Sequence, residues 1–200
     1  MTEPARGVGL GPIELPAAVQ RRGRIAGLAL AVLALATLAV NGGWIVSHLD
    51  WLRPLEAGQT APPFDLALIG AEGKPTGQRV ANDSLRGKVV VLEFWATWCG
   101  PCLQSLPRLD RAARGWGDRV ATIAVNLDDA GKARQISDRA GWRLVLAASD
   151  EETASRYQVE TLPHIVVIDQ AGVVRMVGSG GAAVMRAEQA VERLLTPGAP

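Results

Sequence analysis

The chain has 200 residues, 48% of them hydrophobic and 20% charged, with a formal net charge of +1. That length allows one ordinary domain plus an appendage, the composition excludes a disordered chain, and the near-neutral charge gives no electrostatic case for a nucleic-acid partner. Two cysteines are too few for a disulfide-stapled scaffold, and their closeness in sequence points to redox use.

Residues 1–20 carry Pro4, Gly7, Gly9, Gly11, Pro12 and Pro16 with little periodicity, which predicts a disordered tail. With Arg21, Arg22 and Arg24 it makes a cytoplasmic segment 1–24. Residues 25–46 hold no charge and, at about 1.5 Å per residue, would span roughly 33 Å as a helix, enough for the hydrocarbon core. They have no polar stripe, so a buried soluble helix is disfavoured. The rival is a cleaved signal peptide ending near Ala34-Leu35-Ala36. The apolar run continues past that point and Trp44 sits at an interfacial position, so an uncleaved transmembrane anchor is expected. Arg6, Arg21, Arg22 and Arg24 precede it and only Arg53 follows closely, which puts the N-terminus inside and the rest of the chain on the extracytoplasmic side.

Residues 47–59 read as a connector whose Leu49, Trp51, Leu52 and Leu55 either lie on the membrane or cover the domain that follows. A strand is expected at 64–69, a turn at 70–75 and hence a hairpin, then a cap at Asn82-Asp83-Ser84 and an apolar strand at 88–95. Leu103, Leu106, Leu109, Ala112 and Ala113 repeat at helical spacing to about Arg114, with a kink expected at Pro107. Strands at 120–125 and 142–147 alternate with helices at 132–140 and 151–157. A hairpin of strands 164–168 and 173–178 and an amphipathic helix at 182–195 close the chain. Strand, helix, strand, then an antiparallel hairpin and a helix describe an α/β domain with a mixed sheet.

The strand at 88–95 runs into Trp98-Cys99-Gly100-Pro101-Cys102. A helix starting there leaves Cys99 among unpaired backbone N–H groups at the positive end of the helix dipole, which favours its thiolate. Pro101 fits an early helical position. The pattern predicts a dithiol/disulfide couple in which Cys99 attacks and Cys102 resolves. A zinc site would need about four ligands, and His48 and His164 are the only histidines, so no metal is expected. A purely structural disulfide would close too short a loop to restrict the unfolded chain much.

Phe94-Trp95-Ala96-Thr97-Trp98-Cys99-Gly100-Pro101-Cys102, Ala61-Pro62-Pro63-Phe64-Asp65-Leu66, Leu85-Arg86-Gly87-Lys88 and Thr161-Leu162-Pro163 followed by Ile165-Val166-Val167-Ile168-Asp169 together resemble the membrane-anchored TlpA-like and ResA-like extracytoplasmic thioredoxins. The resemblance covers roughly residues 58–195. It implies a thioredoxin fold at 60–196, a central mixed sheet flanked by helices with an extra N-terminal hairpin, and no cofactor beyond the Cys99–Cys102 couple. The implied activity is thiol-disulfide exchange with exported proteins, most often their reduction, supplied with electrons by a membrane thiol-disulfide donor. The runner-up is a thioredoxin-fold module that binds metal or client chains with the dithiol as a ligand.

Several roles follow from the resemblance. Glu93 matches a buried acid that accepts the proton of the second cysteine. Leu162 and Pro163 match a cis bond packed on the disulfide, leaving the Leu162 backbone free to pair with substrate, and Trp98, Gly100 and Pro101 complete the substrate surface. His164 departs from the family's usual Thr and is a candidate for tuning Cys99. Ser105 stands where ResA-like members carry Glu, which argues against apocytochrome c as the specific substrate, while a place in cytochrome c biogenesis stays among the roles the resemblance implies. Peroxiredoxins share the Ala-Pro-x-Phe opening, but their Pro-x-x-x-Thr-x-x-Cys pattern would need Pro and Thr where Leu92 and Ala96 stand.

Overall fold

The computed structural model describes residues 28, 30–43 and 54–196, which fall in two compact units, 1–53 and 54–200. In the first, residues 30–43 form helix α1. Leu30, Val32, Leu33, Leu35, Leu38 and Val40 are exposed around its whole circumference, a surface suited to an apolar surround and not to one wet face. Among the described residues no helix is long and apolar enough to cross a membrane. The expected tail at 1–24, both ends of the expected span at 25–46, and connector residues 47–53 lie outside the described residues.

The second unit is built on one mixed sheet. Its strands are β1 (Asp65–Ile69), β2 (Pro75–Ala81), β3 (Val89–Trp95), β4 (Val120–Asn126), β5 (Val145–Ala148), β6 (His164–Ile168) and β7 (Val174–Ser179), in the spatial order β2-β1-β5-β4-β3-β6-β7. The helices are α2 (Gly100–Trp116), α3 (Ala130–Ala140), α4 (Glu151–Arg156) and α5 (Ala183–Leu195). β3 is central, parallel to β4 and antiparallel to β6. All its residues are buried, which explains why its sequence is a continuous apolar run broken only by Glu93.

Alternation along β3 sorts its side chains onto two faces. Val90, Leu92 and Phe94 join Ile123, Val125, Val166 and Tyr157 in one core layer. Val89 and Val91 pack with Leu109 of α2 and Val184, Ala187 and Val191 of α5. Trp95, on that same face, packs with Cys102 and Leu106 of α2 and Ala133 of α3. Glu93 therefore points to the helix-covered face, beneath α2, and not to a wet edge.

The extra hairpin is β1 and β2, which pair antiparallel, and β1 adds to the edge of β5. Its turn reaches α3 so closely that a Cβ on Gly73 would lie 2.2 Å from the Gly131 Cα, and Gly73 has φ +73°. Only glycine meets both demands. Leu55 of the connector packs against the core, and the backbone at Gly58, Gln59 and Ala61 bonds to Val174 and Gly172. This part of the connector covers the domain.

Three local expectations gain detail. The cap expected at Asn82-Asp83-Ser84 is made by Ser84, whose hydroxyl accepts from Ala81 N at 3.3 Å in the single helical turn Asn82–Leu85, while the Asn82 side chain accepts from Phe64 N at 2.6 Å and donates to the Pro62 carbonyl at 3.0 Å, pinning the entry to β1. The strand expected from 142 starts only at Val145, because the Arg143 N–H is taken by Asp110 Oδ1 at 2.6 Å while Trp142 turns inward, edge-on to Trp95. Helix α2 continues through Pro107 to Trp116, held beyond the proline by apolar burial of Leu109 and Trp116, and its last turn is fixed by the Arg114–Asp110 ion pair.

Candidate active site

At the C-terminal end of β3 the chain turns through residues 96–98 and enters α2, with Cys99 as its N-cap. Cys99 Sγ accepts from Cys102 N at 3.2 Å, and Cys99 N donates to the Ala96 carbonyl at 3.0 Å. The two cysteines are joined by a disulfide, with Cα atoms 5.3 Å apart. Cys99 keeps 4% exposure, Cys102 has none, and Trp98 beside them is 73% exposed. The sulfur nearer solvent is thus the one at the helix N-terminus, where a thiolate gains most.

An open groove runs past this disulfide. It is lined by Trp98, Cys99, Gly100 and Pro101 on one side and by Leu127, Val159, Glu160, Thr161 and Leu162 on the other. The Leu162–Pro163 bond is cis. Leu162 borders the groove while Pro163 is buried beneath it, and the Pro163 carbonyl is occupied by Gly180 N at 2.8 Å.

Glu93 has no exposure and is linked to the Cys102 carbonyl through Ser105. Its Oε1 is closely hydrogen-bonded by the Ser105 hydroxyl, and Oε2 has no hydrogen-bond partner among the described residues. Desolvation pushes its pKa up to about 8, opposed only by the Ser105 hydrogen bond. His164 is also buried, with Nδ1 2.9 Å from Ser179 Oγ and its ring edge-on to Phe94 at 6.0 Å. Burial pulls its pKa below the usual imidazole value, against an opposing hydrogen bond to the Tyr157 backbone. His164 sits opposite Phe94 in the β3–β6 ladder, so it belongs to the face of β3 away from Glu93.

Two residues beyond the sequence reading hold the motif. Asp128, after β4, accepts from Thr97 N at 3.0 Å, from the Thr97 hydroxyl, and from Asn126 Nδ2 at 2.8 Å, which anchors the loop two residues before Cys99. Burial raises its pKa, but the Thr97, Asp129 and Asn126 donors together outweigh that and leave it lowered. Only the Asp128-Asp129 pair at a strand-to-helix junction hinted at this, and that signal reads equally as a cap, which Asp129 is. The second residue is Ser105, noted in the sequence only as a departure from a family pattern. Among the described residues no group of three or more His, Cys, Asp or Glu side chains is placed to hold a metal ion.

The AhpC/TSA family profile matches residues 57–177. The chain belongs to the AhpC/TSA family. Among its relatives, the thioredoxin-like protein YneN of Bacillus subtilis (strain 168) is 28% identical over 142 residues, 69% of this chain and 80% of that protein. The thiol-disulfide oxidoreductase ResA of Geobacillus thermodenitrificans is 29% identical over 154 residues, 74% of this chain and 84% of ResA. A solved structure from Chlorobium tepidum, described as a thiol:disulfide interchange protein DsbE, superposes with a TM-score of 0.62 at 29% identity, covering 71% of this chain and 99% of that one. The resemblance to TlpA-like and ResA-like proteins stands, and the chain is a thioredoxin-like protein-disulfide oxidoreductase with the thioredoxin fold.

Proposed function

We propose that this oxidoreductase reduces disulfides of exported proteins from the outer face of the cytoplasmic membrane, to which an N-terminal helix at 25–46 tethers it. The observation that carries the reading is the asymmetry of the two cysteines: Cys99 opens on a groove beside the exposed Trp98, whereas Cys102 has no exposure and does not line the groove. In the reduced protein the Cys99 thiolate attacks a client disulfide, forming a Cys99–client bond and releasing the other client sulfur as a thiolate. Cys102 then gives its proton to Glu93 and attacks Cys99 Sγ, which closes the Cys99–Cys102 disulfide and expels the second client thiolate. Two electrons pass to the client, and a membrane dithiol donor restores the pair.

Trp98, Gly100, Pro101, Leu162 and Pro163 form or support the client surface in this reading, with the Leu162 backbone pairing with an extended client segment. The apolar circumference of α1 supports the membrane tether. The test is insulin reduction by the full-length chain with dithiothreitol as donor. Wild type should catalyse it and Cys99→Ser should not; turnover by Cys99→Ser at the wild-type rate would overturn the assignment. For the tether, the protein should stay with membranes through a carbonate wash with its N-terminus near residue 1, and a soluble form starting near Thr37 would exclude it.

A further inference from the structure

Ser105 is buried on the inner face of α2, three residues after Cys102. Its hydroxyl meets two acceptors: Glu93 Oε1, closely, and the Cys102 carbonyl at 3.1 Å. A serine hydroxyl carries one proton and two lone pairs. If Glu93 is ionised, the two acceptors compete for that proton. If Glu93 is protonated, its carboxyl can donate to Ser105 Oγ while Ser105 donates to the Cys102 carbonyl, and all three groups are satisfied.

Nothing else holds this carboxyl among the described residues. The partners of Glu93 in the ladders are Ala124 of β4 and Ile165 of β6, its Oε2 is without a hydrogen bond, and no charged group contributes to its proton affinity. From α2 its hydrogen-bond partner is Ser105, whose hydroxyl also meets the Cys102 carbonyl. An acid with a single hydrogen-bond partner takes its orientation from that partner.

We propose that Ser105 is the positioning residue of the resolving step: its hydroxyl holds the Glu93 carboxylate for Cys102 and turns to the Cys102 carbonyl as Glu93 takes up the Cys102 proton. This rests on Glu93 being the proton acceptor, as proposed above. The proton leaves Cys102 Sγ for Glu93, the Cys102–Cys99 bond forms, the bond from Cys99 to the client sulfur breaks, and the hydroxyl proton of Ser105 changes acceptor without being lost.

The test is stopped-flow reaction of the reduced full-length chain, in detergent, with 5,5′-dithiobis(2-nitrobenzoate) from pH 5 to 9. The first thionitrobenzoate released reports attack by Cys99 and the second reports attack by Cys102. Ser105→Ala removes the donor that favours ionised Glu93, and a hydrogen bond to a charged group is worth about one to two pKa units. The second phase should therefore reach half its maximum about 1 to 2 pH units higher and slow by about tenfold at pH 7, with the first phase unchanged. Ser105→Thr, which keeps the hydroxyl, should restore the profile. A Ser105→Ala profile that superposes on wild type overturns the proposal, as does a shift that Ser105→Thr fails to reverse. Glu93→Gln separates the two claims: if it leaves the second phase unaltered, the acceptor reading itself fails, whereas if it slows that phase and Ser105→Ala does not, only the role of Ser105 fails. Should Ser105→Ala not fold, the oxidised wild type provides a second readout: the Cys102 carbonyl 13C shift should titrate with the Glu93 carboxyl, and a Cys102 shift that does not follow Glu93 overturns the proposal.

Discussion

Glu93 and Asp128 approach the cysteine segment from different sides, one inside β3 six residues before Cys99 and one in the loop after β4. Both are carboxylates near the same loop, yet burial raises the pKa of Glu93 to about 8, while exposed Asp128 is lowered, its partial desolvation outweighed by donors from Thr97, Asp129 and Asn126. What separates them is burial together with the supply of hydrogen bonds: Glu93 has no exposure and one donor, whereas Asp128 is exposed and has several. Asp128 is a braced anion that holds the loop in place, and Glu93 is an acid with one partner, a state suited to taking a proton. The first would be wasted as a base and the second would be a poor strut.

The largest expected effect comes from removing the charge at Glu93. A folded-state value near 8 against 4.5 means that the folded protein binds more protons than the unfolded chain between those values, so stability falls as pH rises from about 4.5 to about 8 and is level beyond. At about 1.4 kcal/mol per unit this is on the order of 3 to 5 kcal/mol. Urea unfolding of the oxidised protein should show that decline in wild type and lose it in Glu93→Gln. A wild-type curve that is flat from pH 5 to 8 would mean that Glu93 is ionised throughout and the contrast with Asp128 is not real.

A smaller effect is expected at Asp128. Asp128→Ala strips the acceptor from Thr97 and Asn126 and should cost about 1 to 2 kcal/mol at pH 7, discounted for its exposure. The sign is opposite to that of Glu93: a lowered carboxyl stabilises above its unfolded value and loses that contribution as pH falls through the folded one. Variant and wild type should therefore converge in acid, and unfolding curves at pH 7 and pH 3 measure this. A constant gap at both would make Asp128 a packing residue and not an anion.

His164 gives the smallest expected effect. Its pKa is lowered by burial, so the folded protein resists protonating it, and stability from this group is lost as pH falls below the unfolded value near 6.5. His164→Leu should cost about 1 kcal/mol at pH 7 through the lost Ser179 hydrogen bond. The deficit should shrink by pH 5, where wild type alone bears the cost of the buried imidazole. A widening deficit would show that His164 is charged in the folded protein. Its place on the opposite face of β3 from Glu93 supports a packing role, and leaves tuning of Cys99 to be read from alkylation rates in the same variant.

The sequence by itself determined most of the element order. Hydrophobic period, the cap at Cys99 and the turn glycines are short-range signals, set by backbone sterics and by side chains within a turn of one another, and they mark the helices and strands of residues 64–195 to within a few positions. It also determined the redox couple, since the chemistry of Cys99 and Cys102 lies within one helical turn. The tertiary structure decided what surrounds that couple. Which way Glu93 points depends on the register of β3 between β4 and β6 and on α2 lying over that face. The brace from Asp128 to Thr97 joins residues 31 apart in sequence, and the delayed start of β5 depends on Asp110, 33 residues before Arg143. Such pairings leave no local periodicity, because the energy that selects them comes from desolvation and from hydrogen bonds between elements that meet only once the sheet is assembled.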